Sequence, residues 1–182
     1  MKVCWVLDVD EKPEVREAAL NALGSVGLPW IDGLQTNLVR ALEDQNSVVR
    51  AMAAWSIGKL GPEFATPVIV AKMNRLLRDN FWKVRTAACI TLGALGPDCV
   101  EGALDILLEA LRTGAINRVI VSETIVKMGP SGERILVEIL KRMRVKDAKL
   151  ICPVLASLEL ADITQPTCDF VYEELLNSVA YQ

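Results

Sequence analysis

A chain of 182 residues, 52% apolar and 24% charged, is long enough for one well-buried domain or one continuous array of repeats. Its net charge of −3 gives no global attraction to nucleic acid or anionic membrane, and the absence of histidine removes the commonest general base and metal ligand together. The composition is neither disordered nor collagen-like, and no window reaches the roughly 18–20 consecutive apolar residues that span a bilayer.

Four segments repeat along the chain: "VREAALNALGSVG" (Val15–Gly27), "VRAMAAWSIGKLGP" (Val49–Pro62), "VRTAACITLGALGP" (Val84–Pro97) and "NRVIVSETIVKMGP" (Asn117–Pro130). Arg16, Arg50, Arg85 and Arg118 stand 34, 35 and 33 residues apart, and Gly27, Gly61, Gly96 and Gly129 keep those intervals. A fixed period of this length signals stacked supersecondary units. In the first segment Val15, Ala19, Leu23 and Val26 recur at steps of four and three, one face of an α-helix. The closing glycines suit a left-handed helix cap, and Pro62, Pro97 and Pro130 start the next helix. Another helix fills each interval, at Trp30–Glu43, Glu63–Arg78, Asp98–Arg112 and Gly132–Val145.

Each unit is therefore read as two antiparallel helices, in units of about 1–27, 28–61, 62–96, 97–129 and 130–162, with a closing helix over 163–182. The fold class expected is all-α, a right-handed α-α superhelix of four to five helix pairs. Gly24, Gly58 and Gly93 lie in register inside the second helix, where glycine costs about 1 kcal/mol relative to alanine. They imply a close helix approach, loosened where Val126 replaces glycine. At the N-terminal end Val3, Cys4, Trp5, Val6 and Leu7 are nearly contiguous, whereas an end repeat normally shows water a polar face. This end is expected to pack on neighbouring repeats or to self-associate. Phe81 and Trp82 are read as fastening a turn to the adjacent unit, and Trp30 as packing at a helix start.

These segments resemble HEAT repeats, most closely the short variety of bilin-lyase-like HEAT proteins with a V-R-x-x-A-x-x-x-L-G-x-L-G core. Asp10, Asp44 and Asp79 precede Arg16, Arg50 and Arg85 by six residues, matching the family's inter-helix Asp and second-helix Arg. The resemblance implies that these six residues form a structural ladder between successive repeats. The fourth unit departs from it, with Arg112 at the aspartate position before Arg118. It also implies a protein-binding scaffold, with an enzyme-associated or bilin-lyase-like subunit as the alternative.

Few residues suggest reaction chemistry. The five cysteines (Cys4, Cys89, Cys99, Cys152, Cys168) form no C-x-x-C pair and read as small core residues. Glu101, Asp105 and Glu109 follow helical spacing and read as a solvated face. "GPSGERI" lacks the lysine and spacing of a phosphate loop. No catalytic residue, metal site or cofactor is assigned. The protein is expected to be soluble and cytoplasmic, because "MKVCWVLDVD" is too short for a signal-peptide core. A basic patch, Lys141, Arg142, Arg144, Lys146 and Lys149, reads first as a solvated face; contact with an acidic protein comes second and weak nucleic-acid binding third.

The second helices line the concave side of HEAT arrays. Their outward register is Glu17 and Asn21, then Ala51 and Trp55, Thr86 and Ile90, and Val119 and Glu123, with Lys59 and Lys127 one turn on. Trp55 and Ile90 are apolar where water is expected, which suits a partner-binding surface. With the helical phase shifted by one residue they would be core instead.

Overall fold

The computed structural model describes residues 12–26, 33–126, 131–132, 134–135 and 138–139. Eight α-helices follow in order over residues 12–126: α1 Pro13–Val26, α2 Leu34–Ala41, α3 Ser47–Leu60, α4 Pro67–Leu76, α5 Trp82–Leu95, α6 Pro97–Glu101, α7 Leu104–Thr113 and α8 Arg118–Val126. A single 3-10 turn, Pro62–Phe64, precedes α4, and no strand occurs among the described residues. The fold is an all-α solenoid in which α1, α3, α5 and α8 stack as one row.

Among the described residues the first helices are shorter than their sequence patterns predict. The segment read as Trp30–Glu43 is helical at Leu34–Ala41, and those read as Glu63–Arg78 and Asp98–Arg112 are each broken in two. Pro67 lacks an N–H, so it starts a fresh helix behind Thr66, whose hydroxyl accepts the Ile69 N–H at 3.5 Å. Gly102 and Ala103 interrupt the other, glycine being a poor helix former.

The second helices are capped as separate units. Asn46 accepts the Val48 N–H at 2.8 Å, and Asn117 the Val119 N–H at 2.9 Å. Gly61 and Gly96 end α3 and α5 with φ of +100° and +122°, but their ψ values of −171° and 168° are extended rather than left-handed helical. That region is essentially open to glycine alone. Their N–H groups close one helix on the Ile57 and Leu92 carbonyls, and their own carbonyls accept from Phe64 and Cys99. One glycine thus ends one helix and opens the next.

The buried residues form one continuous cluster from Ala19 to Ile139. Within α1 the buried positions are Ala19, Leu20, Leu23 and Gly24. Val15 and Val26 are exposed, contrary to the apolar face expected, although their counterparts Val49, Val84, Leu60 and Leu95 are buried. Among the described second helices, α1 has a stacked neighbour on one side only. Trp82 is 61% exposed and opens α5 rather than fastening a turn, with the Lys83 ammonium 5.8 Å from its ring centroid. Phe81 is also exposed, but the Arg50 guanidinium of the preceding repeat sits 5.9 Å from its centroid. Glu101 ends α6 and so does not share a helix with Asp105 and Glu109, though all three are exposed. Asp10, Trp30, Lys127, Lys141, Arg142, Arg144, Lys146, Lys149 and the closing helix lie outside the described residues.

Candidate functional site

The row of second helices is drawn together by small residues and then locked by hydroxyls. A Cβ added at Gly24 would stand 3.1 Å from the Ser56 Cα, and one at Gly58 3.1 Å from the Thr91 Oγ1. Each of these partners reaches back across the interface: Ser56 donates to the Leu20 carbonyl and Thr91 to the Ala54 carbonyl, both at 2.7 Å. Thr124, next in register, bonds its own Ile120 carbonyl at 2.7 Å and lies 3.9 Å from the Cys89 Sγ. These three hydroxyl residues are the buried polar side chains of the described chain, and each has a partner. Sequence reasoning missed this series, although Ser56, Thr91 and Thr124 keep the same 35- and 33-residue intervals.

A second series ties each second helix to the turn of the following repeat. Arg16 grips Asp44 with Nε and Nη2 at 2.8 and 2.9 Å, and Arg50 grips Asp79 with the same atoms at 2.9 and 3.0 Å. Such forked pairs are geometrically demanding and stronger than single contacts. The same aspartates fold their own turns by accepting the Asn46 and Phe81 N–H groups. Arg50 and Arg85 also bind the turn before their own helix, through the Asp44 and Asp79 carbonyls at 2.7 Å. Burial pushes the Asp79 carboxyl up, but the Arg50 hydrogen bond, the Phe81 N–H and the two arginine charges together hold it below its ordinary value. In the fourth unit Gly114 ends α7 in the left-handed region, and Arg85 takes the Ala115 carbonyl at 2.7 Å. Arg112 itself is exposed.

Beyond these contacts the row leaves a groove of about 410 Å³ across α3, α5 and α8. Trp55, Lys59, Ile90, Ala94, Ile120 and Glu123 form its walls, and Gly58 and Gly93 also line it. Trp55, Lys59, Ile90 and Glu123 of the outward register meet here; Ala51, Thr86 and Val119 do not line this groove. Ile90 is 42% exposed, which makes it a surface residue despite its apolar side chain. Trp55 is half-buried, with the Lys59 ammonium 4.9 Å from its ring centroid. Another cleft, of about 620 Å³, lies beside the Arg–Asp pairs, and its charges neutralise one another: Lys72 and Arg75 pair with Glu43, Arg50 with Asp79 and Arg78 with Glu109. The Lys72 bond foremost holds the Glu43 carboxyl below its usual value. Among the described residues no three His, Cys, Asp or Glu side chains cluster as metal ligands would, and no helix is long and apolar enough to cross a membrane.

Stacked helix pairs with an inter-repeat Arg–Asp series and an open face on one row define a repeat solenoid of the α-α type. The HEAT-repeat family model matches residues 2–74 and 36–122. The chain belongs to the HEAT-repeat family. Among solved structures it is similar to the designed armadillo repeat protein YIII(Dq)4CqI, at 18% identity and a TM-score of 0.55, covering 99% of this chain and 90% of that one. That likeness carries the fold alone. No match is found among curated proteins.

Proposed function

We propose that the protein is a non-catalytic scaffold that binds a protein partner on the face formed by α3, α5 and α8. One observation carries this reading: the groove places exposed Ile90 beside half-buried Trp55, with charged side chains at its margins. Apolar side chains at the centre of a concave surface with a polar rim are the anatomy of a binding site. The stacking supports the same face, because the second helices pack closely while α2 and α4 touch only sparsely. The floor is pre-organised by the Ser56 and Thr91 bonds, so a partner would meet a surface already ordered. Buried unpaired Cys89 and Cys99 support a reducing, intracellular setting.

The test is site-specific photocrosslinking in the cells that naturally make the protein. A photoreactive residue in place of Ile90 is expected to capture a discrete partner. The same residue in place of Val68, more exposed still and on α4, is expected to capture none. Capture at position 68 alone, or identical capture at both, refutes the reading. A second contact surface is favoured by α1, where Val15, Ala22 and Val26 are exposed while their counterparts Val49, Ser56 and Leu60 are buried. We read that edge as the self-association surface, and sedimentation of a strictly monomeric chain at high concentration overturns this part.

A further inference from the structure

Resting on that reading, we propose that the groove takes an extended peptide segment of about six residues, with an acidic side chain at one end, a basic one at the other and an apolar residue between. The charges decide the pattern. Lys59 on α3 and Glu123 on α8 are exposed at opposite sides of the groove. Among the described residues neither has an ion-pair partner, whereas the charges of the neighbouring cleft are satisfied within the chain. Lys59 is held by the Trp55 ring, which fixes an ammonium without neutralising it. A partner complementary to this face therefore brings an acid to α3 and a base to α8.

The span decides the length and the shape. From α3 to α8 is two helix spacings of about 8–10 Å each, or about 16–20 Å. Extended chain covers that distance in about five or six residues. An extended strand sends only alternate side chains downward, toward Ile90, Ile120 and the space above Gly58 and Gly93. A polyanion is a poor fit because it would meet Glu123.

Three end-blocked, fluorescein-labelled hexapeptides with the same leucine-rich centre test this by fluorescence anisotropy against the full chain. One carries an acid and a base at its ends, one two acids and one two bases. The acid–base peptide is expected to bind tightest, each mismatched end weakening it by about threefold at low salt. Lys59→Glu is expected to shift the preference to the two-base peptide, and Glu123→Lys to the two-acid peptide. Ile90→Asp is expected to weaken all three by tenfold or more. All three sites are exposed, and circular dichroism confirms that each variant is folded. Equal affinity for the three peptides, no switch in the variants, insensitivity to Ile90→Asp or no binding at all overturns the proposal. Crosslinking at position 90 that persists alongside charge-blind peptides leaves the scaffold reading intact and removes this one alone.

Discussion

Replacing Gly58 with alanine sets two effects of opposite sign against each other, and the structure says which wins. Alanine raises the helix propensity of α3 by about 1 kcal/mol. Its Cβ would stand 3.1 Å from the Thr91 Oγ1 and 3.4 Å from the Thr91 Cα. That hydroxyl cannot swing away freely, because it is buried and donates to the Ala54 carbonyl at 2.7 Å. Overpacking of this kind costs about 1–3 kcal/mol, so Gly58→Ala is expected to be net destabilising by about 1 kcal/mol. Thr91→Ala alone removes one hydrogen bond and a buried methyl group, a loss of about 2 kcal/mol. With the hydroxyl gone, the contact nearest the new Cβ relaxes to 3.4 Å, and the same glycine replacement is expected to stabilise by up to about 1 kcal/mol. The coupling between the two sites is then about 2 kcal/mol, measured by urea unfolding of the four proteins followed by circular dichroism. Gly24 provides the contrast, since its added Cβ meets the Ser56 Cα at 3.1 Å, an atom that Ser56→Ala leaves in place. Rescue at Gly58 but not at Gly24 is the expected pattern. Additive effects at the Gly58 pair would show that the threonine hydroxyl does not set the helix spacing.

Asp79→Asn is expected to cost about 2 kcal/mol near neutral pH, because the forked Arg50 pair is only 14% and 10% exposed on its two sides. Its native carboxyl is held low, so the stability it contributes is present above the unfolded-state value of about 4 and is lost as pH falls through the lower native value. Stability against pH should therefore fall less steeply below about pH 4 in Asp79→Asn than in the unaltered chain; identical slopes refute the assignment. The Cys89 thiol, buried and pushed up to about 11, is expected to resist alkylation at pH 8 until the chain unfolds, with peptide mapping as the readout. Trp55→Ala should lower stability by about 1–2 kcal/mol and Ile90→Ala by less than about 0.5 kcal/mol, as half-buried and exposed positions do. A larger loss at Ile90 would place it in the core.

The repeat and its all-α stack were legible because small and apolar residues must recur wherever one helix lies on the next, and Arg16, Arg50 and Arg85 mark that period. What stayed hidden was local. A helix interrupted at Pro67 or at Gly102 looks continuous to a pattern of apolar spacings, since both pieces contribute residues to the one buried core. The ψ angles of Gly61 and Gly96 depend on where the next helix must start, which is a matter of packing rather than composition. The outward register gave Trp55, Lys59, Ile90 and Glu123, yet Gly58 and Gly93 in the groove lining read only as points of close helix approach, and Thr91 and Thr124 beside them were missed.

Helical geometry explains how inter-helix packing positions and outward groove positions alternate in this chain. Ser56, Thr91 and Thr124 each follow by one residue the groove positions Trp55, Ile90 and Glu123. One residue is about 100° around a helix, enough to carry a side chain from the neighbouring backbone to the groove surface. The inward row is confined to small hydroxyl residues, because a larger side chain meets a Cα or carbonyl of the adjacent helix. The row beside it has no such limit and holds an indole, an isoleucine and a carboxylate on consecutive repeats. Inter-helix packing and the proposed binding surface thus occupy adjacent positions on the same helix. Exchanging side chains along the outer row should therefore change what binds while leaving the spacing of the helices unaltered.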